Sequence, residues 1–141
     1  MANLKTIFVA EDDANDVFLL TCALEEAALP WRLIVAEDGL KAIEMLKRYT
    51  KDGHGKPELS RLPDLVLLDI NMPRVSGFDV LEWVRKQPRL EKLCVVMLSN
   101  STRDHDMLHS GTLGANDYQS KPIGLTRYVT LVKALHARWL A

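Results

Sequence analysis

A chain of 141 residues, 48% hydrophobic and 26% charged, is long enough for one domain with a real core and too mixed in composition for a disordered segment. Its formal net charge of −1 and the lack of a basic patch exclude a nucleic-acid-coating protein, and no apolar run reaches the roughly 18 residues of a membrane span. The first apolar run is also too short for a signal peptide, and Cys22 and Cys94 stand far apart in no metal or redox spacing, so the sequence predicts a cytoplasmic protein with two buried thiols.

In chain order, short apolar runs alternate with segments of helical period. Ile7–Ala10 reads as a first strand that stops at Glu11, Asp12 and Asp13. Val17, Leu20, Leu24 and Ala27 share one face of the helix that follows, with Pro30 closing it. Leu33–Ala36 makes a second strand, Asp38–Gly39 turns the chain, and Ala42, Ile43, Leu46 and Tyr49 mark a second helix. Thr50–Leu62, with two glycines, one proline and mixed charge, is a long polar loop.

Leu65–Asp69 has an unbroken apolar run bounded by prolines and ending in an acid, the pattern of a strand buried on both faces whose last side chain reaches the sheet rim. Val80, Leu81 and Val84 form the stripe of a third helix ending before Pro88. Leu93–Leu98 is a further buried strand closing in Ser99, Asn100 and Ser101. A fourth helix opens at Ser101 or Thr102, turns Met107 and Leu108 inward and closes at Gly114. Tyr118–Lys121 is a short last strand, stopped by Pro122. Leu125, Tyr128, Val129, Val132, Leu135, His136 and Trp139 define an amphipathic final helix. Strict strand–helix alternation predicts a parallel sheet with helices on both faces, because parallel crossovers are right-handed and mostly helical.

Glu11 and Asp12, Asp69, Ser99 and Lys121 all end strands, so they face one rim of that sheet. If strands one and three are neighbours, the acidic pair meets Asp69 at the topological switch point, where open α/β sheets bind ligands. Like charges about 4 Å apart repel by roughly 1 to 4 kcal/mol per pair, so a cation must offset them. Oxygen-only ligands with room for water favour Mg²⁺ over zinc. Asp13 is assigned to the turn. The i, i+4 pair His105 and His109 lacks a third ligand and reads as an exposed polar face, and Trp83 and Trp139 read as partly buried anchors.

The ordered set Glu11–Asp12, Asp69 followed by Asn71-Met72-Pro73 and Gly77, Ser99, Gly114–Ala115, Tyr118 and Lys121–Pro122 resembles the receiver domain of bacterial two-component signalling over essentially the whole chain. The resemblance implies a doubly wound (βα)5 flavodoxin-like fold with strand order 2-1-3-4-5. Asp69 would take a phosphoryl group from a histidine of a sensor kinase. Asp12, Asp69 and the backbone carbonyl of Asn71 would ligate Mg²⁺, with Glu11 acting through water, Lys121 on the phosphoryl oxygens and Ser99 donating its hydroxyl. Asn71 and Ser101 would set the phosphoryl lifetime, Ser99 and Tyr118 would form the switch, and the Lys121–Pro122 bond is one that is typically cis in the family, a form the sequence permits without fixing. Glu11 departs from the family's commoner Asp by one methylene.

Short receivers with an acidic pair, an Asn-Asp a few residues later and a polar insert before strand three resemble the partners of phytochrome-type kinases. The expectation is a single receiver over 1–141 without an output domain, signalling through protein contacts rather than as an enzyme. The face of the fourth helix, fifth strand and fifth helix is its candidate homodimer surface. An Mg²⁺-dependent phosphatase with an Asp nucleophile would need a second Asp where Asn71 stands, and a flavin binder would need a glycine-rich phosphate loop where EDDAND stands.

Overall fold

The computed structural model describes residues 4–50, 62–100 and 104–141. The elements are β1 (Lys5–Ala10), α1 (Ala14–Glu26), β2 (Trp31–Ala36), α2 (Gly39–Leu46), β3 (Leu65–Asp69), α3 (Gly77–Lys86), β4 (Val95–Ser99), α4 (Asp104–Thr112), β5 (Asp117–Ser120) and α5 (Leu125–Leu135). A 3₁₀ turn, Lys47–Tyr49, extends α2, and a π-helical turn, His136–Leu140, extends α5. The strands form one sheet in the order β2-β1-β3-β4-β5 with every neighbouring pair parallel. This is the doubly wound order that the receiver resemblance implies, with β1 and β3 side by side at the switch point.

Residue parity along the strands divides the core in two. Ile7, Val9, Leu65, Leu67, Val96 and Leu98 pack against α1 and α5 through Leu20, Ala23, Leu24, Tyr128, Leu131, Val132 and Leu135. Phe8, Ala10, Val66, Leu68, Val95 and Met97 pack on the other face against α2 and α3 through Ala42, Leu46, Val80, Leu81 and Val84. All five residues of β3 are buried, as a strand with helices on both sides requires.

Local sequence explains the helix ends. Asp13, assigned to the turn, is the N-cap of α1, its carboxylate accepting from the N–H groups of Asn15 at 2.8 Å and Asp16 at 3.4 Å. Asp38 caps α2 in the same way through Lys41 N–H. Ser76 and Asp79 form a reciprocal capping box on α3. Gly114, at φ +95°, closes α4, and Ala115 N–H bonds back to the Ser110 carbonyl at 2.9 Å. Gly77 lies so close to the end of β3 that a Cβ there would run into the backbone of Asp69 and Ile70, so only glycine lets α3 start beside the acidic rim.

Several expectations need correction. Met107 and Leu108 do not face inward: they are 47% and 72% exposed, whereas Ser110 is buried. The inward stripe of α4 is Asp106, Ser110 and Leu113, so the helix is rotated from the phase its two large apolar residues imply. Ser110 is satisfied there by donating to the Asp106 carbonyl at 2.9 Å. Cys22 and Cys94 are free but only half-buried. Cys22 lies off the Leu20–Ala23–Leu24 stripe, and Cys94 immediately precedes β4 at the margin of the core that α1 and α5 cover. Leu125 is 39% exposed, so the buried stripe of the last helix begins at Tyr128. No cis peptide occurs among the described residues, so Lys121–Pro122 is trans. Ser101, Thr102 and most of the 50–62 loop lie outside the described residues. Trp83 and Trp139 are half-buried as expected.

Candidate functional site

The strand register builds the rim. Ala10 pairs with Leu68, Asp69 with Leu98, and Ser99 with Ser120, so the residues just past these pairs open on one edge. Glu11 N–H is held by the Ala36 carbonyl at 3.0 Å and Lys121 N–H by the Ser99 carbonyl at 2.8 Å, fixing both side chains at strand ends. Glu11 and Asp69 share parity with Ile7, Val9, Leu65 and Leu67, and so lie toward α1 and α5. Ser99 shares parity with Val95 and Met97, and Tyr118, paired with Met97, packs partly buried on the same α3 side. An acid–lysine half and a hydroxyl–aromatic half thus meet at one edge.

Lys121 is the centre of the first half. Its side chain is 5% exposed, and its ammonium lies 2.6 Å from Glu11, 3.2 Å from Asp16 and 3.5 Å from Asp69. Three carboxylates therefore take the three donors of one ammonium. Asp69 Oδ1 also accepts from Asn71 N–H at 3.3 Å, and a Glu11 oxygen accepts from Asp13 N–H at 3.2 Å. Glu11 and Asp69 are buried, whereas Asp12 is exposed.

The electrostatics follow from this crowding. Burial pushes the Glu11 carboxyl up from 4.5 to about 8, against the pull of its Lys121 hydrogen bond and with help from the Asp69 charge. Asp69 is also raised, by burial first, which outweighs its bonds to Glu11, Lys121 and Asn71 N–H. Burial alone would lower Lys121, but hydrogen bonding to Glu11 and the charges of Glu11 and Asp69 hold it above the ordinary lysine range. One cation faces several carboxylates, so burial and their mutual repulsion oppose ionisation of the whole rim.

Glu11, Asp12 and Asp69 each offer an oxygen, all within 4.8 Å of one another. This hard, oxygen-only set marks a divalent-cation site. Among the described residues the histidine pair joins no such group: His105 is largely exposed and His109 sets its ring edge against Phe78 at 4.5 Å.

Sequence reasoning brought Glu11, Asp12, Asp69, Asn71, Ser99 and Lys121 to this edge, and all are found there. It missed Asp16 and Tyr128. The Tyr128 hydroxyl donates to Asp16 Oδ1 at 2.8 Å, while Asp16 Oδ2 accepts from Lys121. Two signals were present: an acid in the first turn of the helix that opens at the rim, and a polar-tipped aromatic inside an apolar stripe.

A family model described as the response regulator receiver domain matches residues 7–133. Response regulator Rcp1 of Synechocystis sp. is 32% identical, covering 96% of this chain and 89% of its own length. The solved structure of the phosphorylated cyanobacterial phytochrome response regulator RcpA superposes with a TM-score of 0.84 at 32% identity, over 99% of this chain and 96% of that one. The Mn(2+)-bound form of Rcp1 gives a TM-score of 0.79 at 32% identity over 96% and 94%. With its strand order, its acidic switch-point rim and a family match running through both core faces, the chain belongs to the response regulator receiver domains of two-component signalling.

Proposed function

We propose that Asp69 is the phospho-acceptor of this receiver, that the divalent cation is Mg²⁺, and that the chain is a cytoplasmic signalling protein whose only chemistry is on its own aspartate. The observation that carries this is the convergence of Glu11, Asp12, Asp69 and Lys121 at the switch-point edge. The Asp69 carboxylate attacks phosphorus in line, forming the O–P bond as the P–N bond to a kinase histidine breaks and the imidazole leaves. Lys121 binds the transferring oxygens, and Ser99, on the opposite half of the edge, donates its hydroxyl to them. Glu11, Asp12, Asp69 and the Asn71 carbonyl would hold Mg²⁺, which when bound neutralises charge developing on the phosphoryl oxygens. Mass measurement after treatment with a small phosphodonor, with and without Mg²⁺, tests this reading on wild type and Asp69→Asn.

The partner is a histidine kinase. We read it as phytochrome-type, a reading supported by the 32% identity, over 99% of this chain, to RcpA, a phytochrome response regulator. Transfer from such a kinase, compared with an unrelated one, decides this.

Metal affinity should depend on pH. The folded Glu11 value lies above the unfolded one, so the stability its protonated form contributes is present below about 4.5 and lost as pH rises through about 8. Mg²⁺ needs the ionised carboxylates, so its apparent affinity should rise with pH across that window and level above it. Titration calorimetry in two buffers of different ionisation enthalpy should show proton release; a flat profile contradicts the coupling.

Output is proposed through α4, β5 and α5. Phosphate adds about −1.5 to −2 charge, draws the Ser99 hydroxyl and lets Tyr118, on the same sheet face, change rotamer. Met107 and Leu108 on α4, with Ile123 (80% exposed) and Leu125 before and at the start of α5, give this region exposed apolar surface, which supports a homodimer there. Sedimentation velocity with Leu108→Lys should shift the protein to monomer; an unchanged wild-type monomer across concentration rules the dimer out.

A further inference from the structure

The Lys121 ammonium is held from three sides, and the three holds are not equivalent. The bond to Asp69 is the longest, 3.5 Å, and is made to the carboxylate that accepts the phosphoryl group. The bonds to Glu11 and Asp16, at 2.6 and 3.2 Å, come from groups that are not modified. Asp16 is itself fixed at its other oxygen by the Tyr128 hydroxyl at 2.8 Å, and Tyr128 is 2% exposed in the first half of α5, in the core layer it shares with α1. Both partners are tied to rigid elements. Asp16 is in the first turn of α1, whose N-terminus Asp13 caps, and α1 and α5 pack side by side over one sheet face.

We propose that Asp16, locked by Tyr128, is a positioning residue for Lys121: it fixes where the ammonium stands behind the transferring phosphoryl group and links that ammonium to α5. This deepens the phospho-acceptor reading and rests on it for the reaction, though not for the geometry. When an Asp69 oxygen is phosphorylated to the acyl phosphate, the ammonium stays charged and one of its N–H groups turns from Asp69 to donate to a phosphoryl oxygen, while the Glu11 and Asp16 bonds keep the lysine from following freely. A Lys121 displacement then pulls on Asp16 and, through its second oxygen, on the Tyr128 hydroxyl. This route lies on the α1–α5 side of the sheet, opposite Ser99 and Tyr118.

The test uses Asp16→Asn, Tyr128→Phe and the double variant of the full chain, with two readouts. In unphosphorylated protein, the Lys121 ammonium signal in a ¹H–¹⁵N spectrum should shift in both single variants, since each loosens one link of the chain. With a small phosphodonor and Mg²⁺, the maximal labelling rate should fall about tenfold in Asp16→Asn and about threefold in Tyr128→Phe, with the half-saturating Mg²⁺ concentration unchanged. The double variant should be no slower than Asp16→Asn alone, because Tyr128 acts through Asp16. A purely structural role would move thermal stability without this non-additive rate pattern. An unmoved Lys121 signal, rates within twofold of wild type, or additive losses overturn the proposal. Wild type that takes no label overturns the acceptor reading instead, and the ammonium signal still decides whether Asp16 and Tyr128 hold Lys121.

Discussion

Asp69→Asn is expected to abolish Mg²⁺-dependent phosphoryl uptake, by about 10⁴-fold or more, while leaving a folded domain. The amide keeps the shape of the carboxyl, and its oxygen can still accept from Asn71 N–H, the contact made at 3.3 Å in the wild type. It has no nucleophilic oxygen of comparable strength and removes one of the charges that crowd Glu11, whose carboxyl is pushed up to about 8 partly by Asp69. The variant should therefore unfold at the same or slightly higher denaturant concentration than the metal-free wild type, with a gain of at most about 1 kcal/mol, and should bind Mg²⁺ more weakly. Intact-mass measurement together with urea titration checks both halves. Undiminished labelling would move the acceptor elsewhere, and a collapse in stability would make Asp69 a structural residue.

Lys121→Met should have the second largest effect, on rate and on stability together. Methionine fills similar volume but leaves the buried Glu11 and Asp69 without the cation 2.6 and 3.5 Å away. Loss of a preorganised charge at the developing phosphoryl oxygens should slow labelling by about 10² to 10³-fold. Breaking a buried ion pair on one side costs about 3 to 5 kcal/mol when the remaining charge cannot be discharged. Here it can be, by proton uptake, and this gives the sign. With folded carboxyl values raised further, the native variant binds more protons than the unfolded chain, so its stability falls as pH rises. Chemical denaturation at about pH 6 and about pH 9 should show the larger deficit at the higher pH, and Mg²⁺ should recover part of it. Equal deficits at both would mean that the rim carboxylates do not respond to the loss of Lys121.

Much of the site was legible without coordinates because its residues sit at strand ends. A strand is announced by a run of apolar residues, its end by the first polar one, and strict alternation with helices forces every strand to point the same way. Leu65–Asp69 was readable to the residue for this reason, and Glu11, Ser99 and Lys121 came with it. Helix phase was harder. Two-sided burial makes strands insensitive to a shift by one, but a helix with few apolar residues has no such protection. Within Asp104–Thr112 the large apolar side chains are Met107 and Leu108, both turned outward, and the inward face passes instead through Asp106 and Ser110 to Leu113 just beyond the helix. The expected burial of both thiols failed similarly, since Cys22 falls beside the buried stripe of α1 and Cys94 just outside β4.

The amino-acid sequence by itself therefore determined the alternation of strands and helices and the polarity of the sheet rim, because each follows from periodicity and from which residue breaks it, whereas the strand order came with the family resemblance. Only the tertiary structure decided how the single lysine is shared. The link from Tyr128 to Asp16 spans 112 residues and that from Lys121 to Asp16 spans 105, separations across which no local pattern acts. They exist because α1 and α5 pack on the same face of the sheet, and a buried hydroxyl and a buried ammonium there must each find a protein acceptor, so that Asp16 serves both.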